Sequence, residues 1–537
     1  MPRMLVLLIL FFTGASTLAA EPDAARLYAD QCASCHGADR LGAMGPALLP
    51  ENLGRLKRTE AIDTIRDGRA ATQMPAFGGK LDGDQIKALV GLIYTAPAVE
   101  PQWGLKEIAA SHLRYLKQGE RLSDKPVFKV ADPLNLFVVV ELGDHHFTLL
   151  DGDRFEPVGR FPTRFALHGG PKFSPDGRYV YFASRDGWIS KFDIWNLKYT
   201  AEIRAGINTR NLAVSSAGRY VLVGNYLPHT LVVLDAADLT PLKLIDVKDD
   251  DGKSSRVSAV YDAEPRKSFI VALKDIPEVW EIPYDPNAEP VYRGYVHDYR
   301  MGEALAEKGP FPIRRIKLDD YLDDFFFDPS YTNLIGASRD AQGRANAGVA
   351  QDARLTPADG KPGQVVNLIV GRKVASVDLP GLPHLGSGIT WNYRGHPVLA
   401  TPNLKEGMVT VIDMTDWKTI KHIKTPGPGF FMRSHESTPY AWVDSSMSPA
   451  HKDELTIIDK RSLKVVNTLR PSLGKTAAHV EFTRDGKYAL VSIWEKDGAL
   501  VVYDATTFRE IKRLPMSKPS GKYNVYNKIT RSAGTSH

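Results

Sequence analysis

The sequence predicts a multidomain chain: a small all-α domain followed by an all-β eight-bladed propeller. Three observations carry this. Helical segments cluster around the only two cysteines, Cys32 and Cys35. From Pro133 onward one unit recurs: a polar turn, an aromatic and β-branched run, a second turn and another apolar strand. At 537 residues the chain is too long for one ordinary domain unless a repeat architecture absorbs the length.

The N-terminus is a segment apart. Met1 to Arg3 carries a positive charge, Leu5 to Phe12 is unbroken apolar, and Gly14 to Ala20 is small and largely apolar. That order is a secretory signal peptide over 1–20, with a mature chain starting near Glu21. The apolar run is short for a bilayer span, and no later stretch is apolar enough for one. The mature protein is expected to be soluble and periplasmic. A net charge of only +5, with no long Lys/Arg run, leaves nucleic-acid binding without an electrostatic footprint.

Two cysteines in an exported protein suit a disulfide, but the residue after Cys35 argues otherwise. Cys32-Ala33-Ser34-Cys35-His36 is a heme c attachment sequence. Its two thiols reach the two vinyl groups of one heme, and His36 offers its imidazole to the iron from the same turn. Half a zinc site would need two further ligands nearby, and none follows. Met74, beside Pro75, is the expected ligand on the other iron face, where a thioether raises the reduction potential. Met44 competes from a Gly-rich loop.

Helix signals surround this motif. Pro22 to Gln31 delivers it, and Thr59 to Gly68 forms a second helix. Asp82 to Tyr94 forms a third, capped by Asp82 or Asp84, with Ile86, Leu89, Val90 and Ile93 on one face. The assignment is a class I cytochrome c domain over 21–95. A linker follows over 96–130, and the propeller occupies 131–537.

The clearest repeats are Lys172 to Leu197, Ala213 to Leu239 and His479 to Phe508. Weaker copies lie at Leu134 to Phe155, Ser258 to Ile282, Asp324 to Leu379, Ile389 to Trp417 and Arg433 to Leu463, making eight. Several end near an aspartate: Asp193, Asp235, Asp413, Asp459, Asp504. Repetition of one pattern favours a propeller over two β-sandwiches. Ala341 to Gly363 reads as a surface loop in the fifth unit, and Tyr292 to Pro312 as an insertion before it.

Propellers bind ligands at the central channel, so residues just before each unit matter. His168, His384, His435 and His479 all sit there. Four imidazoles at one blade position point to a channel site for a metal or heme.

A heme c domain followed by eight blades, with His168 before the second, resembles the cytochrome cd1 family. His168, followed by Ser174-Pro175-Asp176-Gly177-Arg178-Tyr179-Val180 and Ser184-Arg185-Asp186, is similar to that family's proximal heme d1 ligand segment. Pro383-His384-Leu385-Gly386-Ser387-Gly388 resembles a distal histidine loop. Gly521-Lys522-Tyr523-Asn524-Val525-Tyr526-Asn527 resembles the C-terminal signature.

The family holds two activities: nitrite reduction to nitric oxide (NirS type) and dehydrogenation of dihydro-heme d1, the last step of heme d1 synthesis (NirN type). The reductases carry two distal histidines. His384 matches one, but Tyr321-Leu322-Asp323-Asp324 offers no histidine for the other. Only Glu21 to Gln31 precede Cys32, where the reductases have an extension. His479 and Tyr523 match the NirN-type catalytic positions. The resemblance therefore implies a dihydro-heme d1 dehydrogenase: His168 binds the tetrapyrrole iron, and Arg185, Arg210 and Arg433 hold its carboxylates. His479 is the general base, Tyr523 and His384 assist, and electrons leave through heme c to a periplasmic acceptor. The alternatives are a nitrite reductase, a heme d1 carrier delivering to NirS, or a plain electron-transfer cytochrome.

Overall fold

Alternating apolar and polar residues put one face of a strand against a neighbour, and runs apolar on both faces bury the strand entirely. The repeats follow that rule. In the computed structural model, which describes residues 22–43, 45–54, 56–68, 74–292, 309–337, 363–531 and 533–534, they fold into eight antiparallel sheets of four strands, one extended by a fifth. The expected signal peptide, Met44 and the stretches 293–308 and 338–362 lie outside the described residues, and with them most of both expected insertions.

Seven blades are consecutive in sequence. Their inner strands are Lys172–Phe173, Asn208–Val214, Val257–Ala263, Asp324–Phe327, Ile389–Tyr393, Met432–Ser434 and Ala477–Phe482. The remaining blade, which we number first, joins the ends of the propeller segment. Leu136–Glu141, His146–Asp151 and Glu156–Pro162 are completed on the inner side by Pro519–Asn524, with Tyr523 opposite Val138.

Most sequence units stop one strand short. Five end with the third strand, at Asp193, Asp235, Asp413, Asp459 or Asp504, and a fourth follows, such as Thr419–Lys424 or Lys464–Leu469, whereas the unit Asp324 to Leu379 already takes in its fourth, Arg372–Val377. These outer strands face water and lack an apolar run: four residues of Lys464–Leu469 are exposed. The C-terminal closing strand was likewise not among the eight predicted units.

Apolar clusters between adjacent blades hold the ring. Phe147 of the first blade meets Phe182 and Phe192 of the second, each at 5.0 Å between centroids. Leu222 and Leu231 of the third join Phe269 and Trp280 of the fourth, all fully buried. Burying such side chains contributes roughly 1.5–3 kcal/mol each before entropy is charged against it.

The N-terminal region is helical as expected, with helices Ala24–Gln31, Ala33–His36, Pro50–Leu53, Arg58–Asp67 and Gly83–Ile93. Asp82 caps the last by accepting from the N–H groups of Asp84 and Gln85, and Ile86, Leu89, Val90 and Ile93 are its buried face. They pack on Tyr28 and Ile65.

The segment read as a linker is partly ordered structure. Leu105–Ala110 is a helix whose Ile108 is fully buried among residues of the second and third blades. Leu113–Arg114 then adds the fifth strand to the second blade, opposite Glu202 and Ala201.

Candidate active site

Cys32 caps the one-turn helix Ala33–His36 and Cys35 lies within it, with no disulfide between them. Buried His36 places Nδ1 2.8 Å from the Pro46 carbonyl. A carbonyl only accepts, so Nδ1 carries the proton and Nε2 keeps its lone pair for iron. Met74 is partly buried against the cluster that holds Cys32. The donor set fits a covalently attached heme.

The same device recurs in the propeller. His168 Nδ1 lies 2.7 Å from the Arg210 carbonyl, so Nε2 again keeps a lone pair. That atom accepts from Arg185 Nη2 at 2.8 Å and Arg210 Nη1 at 3.0 Å. The loop turns sharply through Gly169 and Gly170, with φ of +82° and +70°. A Cβ on Gly170 would sit 3.2 Å from the Tyr523 ring, so glycine is needed twice over.

Around this histidine the mouth is cationic. Tyr226 lies under Arg185, Arg256 and Lys274, which approach its ring centroid at 5.8, 5.7 and 5.6 Å. Burial opposes ionisation of this phenol, but Arg210, Lys274 and Arg185 outweigh it and lower its pKa. Lys274 donates to Asp323 at 2.7 Å, at the position where the sequence comparison found no second distal histidine.

His384 occupies the opposite side of the channel. Its Nδ1 faces the Phe430 carbonyl at 2.7 Å and its ring packs on Phe430 at 4.1 Å. Burial lowers its pKa, keeping the imidazole neutral. Phe431 continues the row to His479 at 4.7 Å, and His479 meets Tyr523 at 5.1 Å.

His479 is held in an unusual way. Ala478 pairs with Ser492 and Val480 with Val491, so His479 is the extra residue of a β-bulge, at φ +51°. A bulge re-aims one side chain off the ladder. Its backbone N–H goes instead to Asp444 Oδ2 at 3.2 Å, and its carbonyl accepts from the buried Lys522 Nζ. Both ring nitrogens are buried with no hydrogen-bond partner. Burial, reinforced by Lys522, Arg433 and Lys528, drives its pKa well down, and burial pushes Tyr523 up to about 12.

Arg433 is buried, with Nη1 on the Met432 carbonyl at 2.7 Å and Nε 3.9 Å from Glu481 Oε2. Those two facing atoms have no hydrogen-bond partner, an orphaned pair beside the channel. Lys172 stands near Tyr261 at 5.7 Å, and burial pushes its pKa down to about 8.

The channel thus brings together His168, Arg185, Arg210, His384, Arg433, His479 and Tyr523. His435 is not part of it. It follows the short inner strand Met432–Ser434, at the opposite end of the channel, with Nδ1 on Ser437 Oγ at 2.6 Å. Sequence reasoning missed Lys172, Tyr226, Lys274 and Glu481. Lys172 carried the one usable signal, as a cation opening an inner strand.

The heme c region abuts the same mouth. Arg204 donates to the carbonyls of Leu41 and Gly42 and stacks on Trp103 at 4.5 Å. Ala47 and Leu49, in the loop beside His36, pack with Ile207 and Leu227, and Leu227 adjoins Tyr226 in sequence. No helix among the described residues is long and apolar enough to cross a membrane.

Comparison with known proteins agrees with this arrangement. The family described as "Cytochrome D1 heme domain" matches residues 131–297 and 303–528, and "Cytochrome C oxidase, cbb3-type, subunit III" matches 19–93. A dihydro-heme d1 dehydrogenase of Pseudomonas aeruginosa is 54% identical over 535 residues, covering 100% of both chains. A nitrite reductase of Stutzerimonas stutzeri is 24% identical, covering 95% of this chain and 93% of its own. A solved structure of the dehydrogenase NirN in complex with DHE superposes with a TM-score of 0.84 at 54% identity, covering 94% of this chain and 99% of that one. With its propeller matched almost from end to end, this chain belongs to the cytochrome D1 heme domain family.

Proposed function

We propose that this protein is a periplasmic dihydro-heme d1 dehydrogenase. It turns a propionate side chain of dihydro-heme d1 into the acrylate of heme d1. The observation that carries this is the 54% identity to a dihydro-heme d1 dehydrogenase along the whole of both chains. The nitrite reductase is far more distant at 24%.

The reaction breaks two C–H bonds, forms one C=C bond and releases two electrons and two protons. The channel binds the substrate: His168 Nε2 faces its iron once Arg185 and Arg210 let go, and those guanidiniums at the mouth, with Arg433 and Lys172 deeper in, pair with its carboxylates. The neutral imidazole of His479 takes a proton, since neither ring nitrogen is engaged elsewhere. Tyr523, protonated throughout the working range, orients the side chain from beside it. His384 steers from the distal side.

Heme c, held by Cys32, Cys35, His36 and Met74, supplies a one-electron acceptor when bound. The packed strip from Leu49 through Leu227 to Tyr226 keeps its domain against the mouth. A periplasmic carrier takes the electrons onward, and handover of the product to the nitrite reductase NirS suits a site that binds product tightly.

The deciding experiment is a mass spectrum. The purified heme c protein is incubated with dihydro-heme d1 and an electron acceptor, and the extracted tetrapyrrole is weighed. Loss of two hydrogens supports the dehydrogenase. An unchanged mass with ligand bound rejects it in favour of nitrite reduction or cofactor delivery.

A further inference from the structure

The dehydrogenation releases two protons inside a channel whose mouth the substrate itself covers. Those protons need another way out, and the far end of the channel supplies one. There a cavity of about 610 Å³ is lined by Lys172, Tyr261, Asp262, Tyr331, Lys528 and Arg531. Its rim includes Glu264, Pro265, Pro329, Asn392 and Thr530, all exposed, so the cavity meets solvent on the face opposite the mouth.

One side chain joins this cavity to the reacting end. Lys528 belongs to the C-terminal helix Val525–Thr530, which packs on the first and second blades, and the chain just after it reaches Asp262 and Tyr331 through Arg531. Its Nζ stands 5.6 Å from the centre of the Tyr523 ring, and the same residue lines the cavity wall. Tyr523 in turn touches His479. The order His479, Tyr523, Lys528, cavity, solvent is therefore one of neighbouring side chains, each packed on the next.

We propose that Lys528 relays protons from the Tyr523–His479 pair into the lower cavity, making that cavity the proton exit of the enzyme. This rests on the dehydrogenase reading. Per turnover, two C–H bonds break and one C=C bond forms. Two electrons pass to a one-electron acceptor in two steps, and two protons pass through the amine to cavity water. Lys528 acts through Tyr523 and touches no reacting atom, so it is a positioning residue.

The surroundings keep the amine ready to release a proton. Burial, with Arg433 and Lys172 nearby, drives its pKa well below the usual lysine value, against the pull of Glu481. A lysine whose pKa is lowered gives up its proton more readily and serves as a relay, whereas one fixed as a cation does not.

The test compares the parent protein with Lys528→Met and Lys528→Ala, using ferricyanide as an acceptor that takes up no protons. Tetrapyrrole oxidation is followed by absorbance and proton release by an indicator dye. The parent should release two protons in step with oxidation. Both variants should bind dihydro-heme d1 as the parent does, turn over about ten-fold or more slowly, and show a pH profile shifted on its acidic limb. Ethylamine, small enough for the vacated space, should restore Lys528→Ala and leave the parent unchanged. Parental rates with release in step overturn the relay, and so does a slow variant that amines fail to rescue. Should both variants misfold, Lys528→Arg decides: it keeps the charge but cannot give up its proton, and full activity would overturn the proposal. A parent that fails to oxidise the substrate rejects the dehydrogenase reading instead, so the two failures are told apart.

Discussion

The imidazole of His479 stands edge-on to the phenol of Tyr523, with ring centroids 5.1 Å apart. The two arrive from adjacent blades: His479 on a bulge of the eighth, Tyr523 on the strand that closes the first. Replacing His479 by Ala should leave tetrapyrrole affinity near the parental value and slow turnover at least 10²-fold, roughly what a lost general base costs. Mass analysis of the extracted tetrapyrrole checks the rate, and parental turnover would remove His479 from its role.

His168 makes a different kind of contribution. His168→Ala takes away the imidazole whose Nε2 keeps its lone pair and should weaken binding of the tetrapyrrole about ten-fold or more, or about 1.4 kcal/mol. An absorbance titration measures this, with the heme c spectrum as an internal control that should not change.

Lys172 gives binding a pH dependence. Its pKa of about 8 means the ammonium is present below that pH and lost above it. Only the protonated form attracts a carboxylate, so affinity should fall as pH rises through about 8. Lys172→Met should be weaker at neutral pH and flat across that window. A variant retaining the slope would assign it to another group.

Arg204 fastens the two parts of the chain. Besides the carbonyls of Leu41 and Gly42 it reaches the Asp186 carbonyl at 2.9 Å. Arg204→Ala leaves these acceptors unpaired in a partly buried setting, at a cost of about 1–3 kcal/mol. The melting temperature should drop by several degrees, and electron delivery to heme c should slow while tetrapyrrole affinity holds. Unchanged electron delivery would show that the domain stays docked without Arg204.

Much of this was readable in the chain. The heme c motif declares itself because two cysteines and a histidine coincide within five positions. The blade count is legible because the second and third strands are apolar on both faces. Outer strands are illegible for the opposite reason: half in water, they carry no contrast. Within the site, His168 and His384 are visible because each precedes an inner strand. Tyr226 and Lys274 come from the ends of second strands, and nothing along the chain says that these ends converge on one axis. His435 misled because its inner strand is only three residues long, too short to reveal which end of the channel the residue occupies. The bulge at His479 leaves no trace either, since a histidine at positive φ is imposed by the fold around it.

The closing strand Pro519–Asn524 ties competence to completeness. A ribosome that stalls, or a protease that trims, just upstream of Pro519 yields a polypeptide with seven complete blades and three strands of the first, no phenol at Tyr523 and no amine at Lys528. Such a fragment still contains Cys32, Cys35 and His36, so it is still a substrate for heme attachment and would be coloured like the intact protein. Redness therefore reports maturation of the N-terminal domain alone, and only full-length molecules convert that colour into turnover.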